Sequence, residues 1–296
     1  MAIMSAVTWQ STGIFLVALE DEFNWSRTLL SGAFAIARAE GALMGPVEGA
    51  ITDRVGARWT ILAGFFICAV GFLLFSQVNH PVTFYVVFII IASGAGMGGY
   101  IPLATLINRW FYRKRTIATS ILMIGGSIGG VLVPLLAWGI VTYGWRWVFG
   151  GIGAFILAAA FPIVAVIKDH PEDLGLNPDG ETVDPKQQTT LPEGTPSHPR
   201  SSSLQRGPQF TAKQALHTWT FWAISISHAG TAIGMTTMGM HLVPHLTDQG
   251  LSLPMAGTVV LIVTSVSASF QLVGGWLGDH IDKRKVIFFF MMVLAQ

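Results

Sequence analysis

A guanidinium in the middle of an apolar run is the first chemistry this sequence offers. Arg38 lies within the run 29–52, near the midplane if that run crosses a bilayer, and a permanent charge is costly there. Arginine forks onto a carboxylate through two parallel N–H donors, so a small organic anion is a natural counter-ion. An internal ion pair with another helix is the competing use. Glu40, two positions on, points a different way, and Glu48 is too far along the axis. Glu40 is a midspan carboxylate in its own right, fit either to carry a proton or to sit hydrogen-bonded at a helix interface.

Polar side chains recur in two later runs. His228 in the run 218–243 is placed to line a cavity; Gln271 in the run 254–277, which shares a face with Thr264 and Ser267, either lines that cavity or bonds across helices. His241, His245 and Asp248 also share one helix face. That spacing permits a metal ion, but polar residues at the mouth of a pathway fit it better. No metal and no cofactor is expected. Neither a Gly-x-x-x-x-Gly-Lys phosphate loop nor another enzymatic motif occurs, so the chain is not expected to be an enzyme or to hydrolyse ATP.

A short charged loop appears twice, each time after an apolar run. Gly49-Ala-Ile-Thr-Asp53-Arg-Val-Gly56-Ala-Arg58 is the first copy and Gly275-Trp-Leu-Gly-Asp279-His-Ile-Asp282-Lys-Arg284 the second. Gly, Asp and Arg match at each offset, and Asp282 stands where the first copy has Gly56. Duplicated halves with loops in corresponding positions point to a secondary transporter. Gly41, Gly45 and Gly49 recur every four residues before the first loop, a face suited to close helix contact or to sliding.

These groups need elements to hold them, and composition says which. The chain is 52% hydrophobic and 11% charged, against about 25% charged in ordinary globular domains. Apolar runs long enough to cross a bilayer fall at 2–19, 29–52, 59–77, 82–107, 116–138, 147–167, 218–243 and 254–277. A ninth begins at Val286 and reaches only Gln296, so the chain is expected to be truncated inside a span. All 17 Lys and Arg residues except Arg27, Arg38 and Arg146 fall in one alternating set of loops. The positive-inside rule puts that set, and the amino terminus, in the cytoplasm. Residues 168–213 are rich in Pro, Ser, Thr and Gln and read as a flexible cytoplasmic linker. It would separate an amino-terminal six-helix bundle (1–167) from the start of a second bundle (214–296).

With these features the chain resembles the major facilitator superfamily, whose signature loops match the two copies above. Asn108-Arg-Trp-Phe-Tyr-Arg-Lys-Arg115, Gly125-Gly-Ser-Ile-Gly129-Gly130, Gly144-Trp145-Arg146 and Pro171-Glu-Asp-Leu-Gly175 are similar to segments of its monocarboxylate and oxalate–formate branch. The resemblance implies an all-α membrane protein, a bundle in two pseudo-symmetric halves with the second incomplete here. It implies that Gly49, Asp53, Gly56, Arg58, Gly275, Asp279 and Arg284 form conformational latches, Asp279 facing the start of the fifth span near Thr116. Arg38, Glu40, His228 and Gln271 would contact substrate.

The expected function is alternating-access transport of a small organic solute, a carboxylate or other organic anion. The partners would be that small molecule, a coupling proton or counter-anion, and the lipid bilayer of the plasma membrane. Nucleic acid is not among them. A drug or metabolite exporter of the same fold, with Arg38 in an internal pair, and a receptor that binds without transporting are the alternatives.

Overall fold

The computed structural model describes residues 1–111, 115–176, 179, 214 and 216–280, without the side chains of 116, 275–276 and 278–280. Each of the eight long apolar runs is built around helix. The first span is α1 (Ala2–Ser5), a π-helical turn (Ala6–Gln10) and α2 (Thr12–Phe23), bent by 43°. The second is α3 (Arg27–Val55) and the third α4 (Ala57–Phe75). The fourth is α5 (Pro81–Met97) followed by α6 (Tyr100–Trp110). The fifth joins α7 (Arg115–Ile128) to α8 (Val133–Tyr143) through a 3₁₀ turn, Gly129–Leu132. The sixth is α9 (Trp145–Val166); α10 (Trp219–Asp248) and α11 (Leu253–His280) are the seventh and eighth.

Local chemistry sets the helix ends. Ser26 caps α3, its hydroxyl accepting the Leu29 N–H at 3.2 Å. His80 caps α5 in the same way through Nδ1, with Pro81 in the first turn where it has no N–H to waste. Gly56 separates α3 from α4 at φ +95°, a backbone region that side chains with Cβ avoid.

Length and composition suit Ala57–Phe75, Pro81–Trp110, Ile117–Tyr143, Trp145–Val166 and Leu253–Gly274 to crossing a bilayer, and the bent first span makes a sixth. At 29 and 30 residues, α3 and α10 are long enough. They are more polar, α3 through Arg38, Glu40 and Glu48, and α10 through its Ser, Thr and His residues. Helices of that kind turn toward protein or a water-filled path within a bundle.

Contacts group the chain into two units, Met1–Glu181 with Gly239–Gln296, and Thr182–Met238. In the first unit α4 lies between α5 and α9, α3 packs on α5, and α11 packs on α7 and α8. Its core is aromatic toward one end. Phe149 meets Phe15 at 4.5 Å and Phe75 at 4.7 Å between ring centroids, both edge to face, and Trp145 and Phe84 extend the cluster. Such pairs add about 0.5–1.5 kcal/mol each beyond their buried area.

Glycine lets backbones cross where helices touch. A Cβ on Gly94 of α5 would lie 2.5 Å from the Cys68 nitrogen of α4, and one on Gly64 would strike Gly98. The bundle is apolar outside as well as inside: Phe161, Trp147 and Val166 are 67%, 80% and 82% exposed. Surfaces of that kind match lipid rather than water. Of the second unit the structure describes the beginning of α10, where Thr218 caps the Phe221 N–H and the Trp222 indole donates to the Leu216 carbonyl.

Candidate functional site

The midspan charge has a neighbour, and it is not an acid. The Arg38 guanidinium carbon stands 3.8 Å from the centroid of the Trp9 ring, face on. Among the described residues no carboxylate lies within ion-pair distance of Arg38, and its N–H groups donate no hydrogen bond. Trp9 belongs to the π-helical turn of the first span, an irregularity often found at functional positions.

Glu40 faces elsewhere. Its carboxylate accepts the Ser93 hydroxyl of α5 at 2.5 Å, so it sits hydrogen-bonded at the α3–α5 interface. Glu48, two turns further on, is 5% exposed with its carboxyl against the bare Cα of Gly96. Gln271 of α11 donates to Ser127 Oγ of α7 at 3.0 Å, while its own Oε1 is buried without a partner. The Gly-Gly-Ser-Ile-Gly-Gly run explains that meeting: Gly129 lies against the backbone of Ala6, and Gly130 receives the Thr264 side chain. Spans one, five and eight therefore converge there. His228, in the second unit, is exposed. Arg38, Glu40 and Gln271 thus engage three different helices, and no hydrogen bond or ion pair joins them among the described residues.

The first charged loop is organised by a residue the sequence did not single out. Asp169, just after α9, accepts the Arg58 N–H at 3.0 Å through Oδ1 and so caps α4 from a distance. Its Oδ2 lies 2.7 Å from where a Cβ on Gly56 would stand, which explains why the position is bare. The Trp110 indole donates to the Lys168 carbonyl at 3.0 Å and fixes the same corner. Arg58 turns over Trp59 at 5.6 Å and leaves a buried Nε unpartnered. Asp53 is exposed, without a hydrogen-bond partner among the described residues. Gly41 and Gly49 face open space there, and Gly45 has only Ile101 at 3.8 Å from an added Cβ. The helix contacts of α3 run instead through Gly32 with Tyr85, Glu40 with Ser93, and Glu48 with Gly96. Of the second copy, Gly275 and Asp279 fall within α11, but the side chains of Asp279 and of its expected partner Thr116, and the whole of Arg284, lie outside what the structure describes.

At the opposite end both basic residues are paired. Arg27 bonds Glu20 of α2 through Nε at 2.9 Å and grips Asp248 of α10 through Nη1 and Nη2 at 2.6 and 2.7 Å. Arg146 bonds Glu22 at 2.7 Å and Asn79 at 2.6 Å, lying over Trp145. These groups lie outside the apolar runs. Hydrogen bonding to Asp248 and then Glu20 raises the Arg27 pKa further, and Arg27 holds the Asp248 carboxyl below its usual range. Asp248 is therefore committed to Arg27 rather than to His241 and His245. Among the described residues no three His, Cys, Asp or Glu side chains are grouped to hold a metal. A cavity of about 790 Å³ opens beside the pair, with Glu20, Asp21, Glu22, Arg27 and Asp248 in its wall.

Sequence reasoning missed Trp9, Ser93, Ser127 and Asp169. Only Trp9 left a signal: it and Arg38 are each eleven residues from the Glu20–Arg27 pair, so antiparallel helices bring them level.

Comparison with known proteins agrees with this architecture. A family model described as Major Facilitator Superfamily matches residues 1–295. Human monocarboxylate transporter 11 is 28% identical over 275 residues, covering 92% of this chain and 52% of that protein. Bovine (Bos taurus) monocarboxylate transporter 13 is 27% identical over 282 residues, covering 92% of this chain and 58% of its own. The chain therefore spans little more than half the length of these relatives. A crystal structure of a D-xylose-proton symporter superposes with a TM-score of 0.63 at 15% identity, covering 95% of this chain and 67% of that one, which speaks for the fold alone. Among the described residues, five helices long and apolar enough to cross a membrane and a sixth, bent one, the charged loop after the second span, and a family match over residues 1–295 lead to one conclusion: the protein belongs to the major facilitator superfamily.

Proposed function

We propose that the protein is part or all of a secondary transporter that moves a small carboxylate across a membrane by alternating access, with Arg38 as the group that meets the carboxylate. One observation carries this reading: a permanent charge about 16 Å along α3 from Arg27, at 1.5 Å per residue, with no acid beside it among the described residues. An internal ion pair, which an exporter reading of Arg38 would require, is missing among those residues. That the relatives above are monocarboxylate transporters supports a monocarboxylate.

The remaining assignments follow from that reading. Glu40 and Gln271 would border the path, and His228 is a further substrate candidate. Residues 1–167 would form one half and 214–296 the start of the other, with the basic loops facing the cytoplasm. The loop from Gly49 to Arg58 would latch the cytoplasmic side and Arg27–Asp248 the other. A proton or a counter-anion would couple the cycle.

The test uses the full-length protein in liposomes, with uptake of labelled carboxylates under an imposed pH gradient. Saturable uptake of a carboxylate, lost in a folded Arg38→Gln variant, supports the reading. Uptake indifferent to that substitution rejects Arg38 as the anion site.

A further inference from the structure

We infer that Trp9 is the positioning residue of the anion site: its ring holds the Arg38 guanidinium by one face, so that the in-plane N–H edges are presented to a planar carboxylate. This rests on the transport reading above and adds to it a residue, a geometry and a preference for planar anions.

The first span is built to place that ring. The Ser11 N–H reaches back five residues to the Ala6 carbonyl at 3.2 Å, the hydrogen bond of a π turn. The Ser11 hydroxyl joins it on the same carbonyl at 2.6 Å. A π turn inserts one residue into the helical register and rotates what lies beside it. Thr8 and Thr12 spend their hydroxyls on the carbonyls of Met4 and Thr8, at 2.6 and 3.1 Å. Polar groups around the turn are thus closed onto their own helix. Residues 11–19 are all buried, whereas Trp9 is 36% exposed and turned out of the packed face. Arg38, level with it on the antiparallel α3, lies across the ring at 3.8 Å.

The stack does two things. It restrains a side chain that would otherwise sample many rotamers, a cost met before the substrate arrives. It also occupies only the flat face of the guanidinium. The donors lie in the plane, where a carboxylate can take two at once, and none is used by a described residue. An anion without two coplanar oxygens gains less from such an edge.

The experiment measures uptake kinetics in liposomes for the full-length wild type and for Trp9→Phe, Trp9→Met, Trp9→Leu and Arg38→Gln, each normalised to folded protein. Exposed to desolvated cation–π contacts span a range that converts to a rise in KM of about 2- to 30-fold for Trp9→Leu. Vmax should change little, and KM should rank Trp9, then Phe, then Met and Leu, following ring electrostatics. Chloride competition should be no stronger in wild type than in Trp9→Leu. An unchanged KM with uptake still lost in Arg38→Gln overturns the role of Trp9 and leaves the transport reading standing. A fall in Vmax without a change in KM overturns it too, because packing alone would do that. Wild-type uptake by Arg38→Gln overturns both.

Discussion

Arg27 and Asp248 are joined by two parallel hydrogen bonds of 2.6 and 2.7 Å, tying the start of the second span to the end of the seventh. The pair lies in the wall of the cavity at the end opposite the basic loops. Asp248→Asn should loosen that wall and widen access to the cavity. The readout is labelling of Ile140→Cys, a cavity-wall position 8% exposed, by a membrane-impermeant maleimide. The native Cys68 is 0% exposed and should stay silent. Labelling should rise in Asp248→Asn and fall back when Arg27→Asp is combined with Asp248→Arg. Because Arg27 lowers the Asp248 pKa, the pair is complete above the ordinary carboxylate value of about 3.9 and is lost as pH falls through the lowered one. Labelling of the wild type should therefore be flat through neutral pH and increase only in strong acid. A steep change near neutral pH would rule out Asp248 as the controlling group.

Gly56 and Asp169 should fail together but by different amounts. Gly56→Ala places a Cβ at φ +95° and against Asp169 Oδ2, so it should cost about 1–3 kcal/mol of stability. Asp169→Ala removes the cap on the Arg58 N–H at a cost of about 0.5–2 kcal/mol, and Asp169→Asn should keep most of it. Thermal unfolding in detergent separates the three variants. Equal losses from Asp169→Asn and Asp169→Ala would argue against capping.

Two helical glycines should respond in opposite directions. Gly64→Ala drives a methyl into the backbone of Gly98 and should cost about 1–3 kcal/mol or prevent folding. Gly151→Ala on α9 meets nothing within 4 Å and should be neutral or gain up to about 1 kcal/mol from helix propensity. Melting temperatures of the pair, measured side by side, decide it.

Ser127→Ala should be worse than Gln271→Met. The first takes the partner from a part-buried amide whose Oε1 is already without one, at a cost of about 1–3 kcal/mol. The second replaces the amide by an apolar chain of similar volume and should cost less than about 1.5 kcal/mol. If Gln271 borders the path, Gln271→Met should raise KM while stability holds.

The elements were legible from one dimension because each segment reports its own burial. Eight apolar runs, the loops between them and the repeated charged motif are local patterns, set by the length a bilayer demands and by where Lys and Arg are tolerated. Arg38 stood out for the same reason, as a charge where charge is costly. Its surroundings were not local. Nothing in the sequence around Asp169 says that it caps a helix more than one hundred residues earlier. The glycines at 41, 45 and 49 read as a contact face, yet α3 meets α5 through Glu40, Glu48 and Gly32 instead. Side-chain direction around a helix depends on which neighbour covers it, and that is decided only when the chain folds back. Sequence by itself determined that the described runs are helical and that their outer faces suit lipid. Tertiary structure alone decided that a π turn would aim Trp9 at Arg38 and that Arg27 would choose Asp248, because each pairing joins residues whose approach is set by the packing of whole helices.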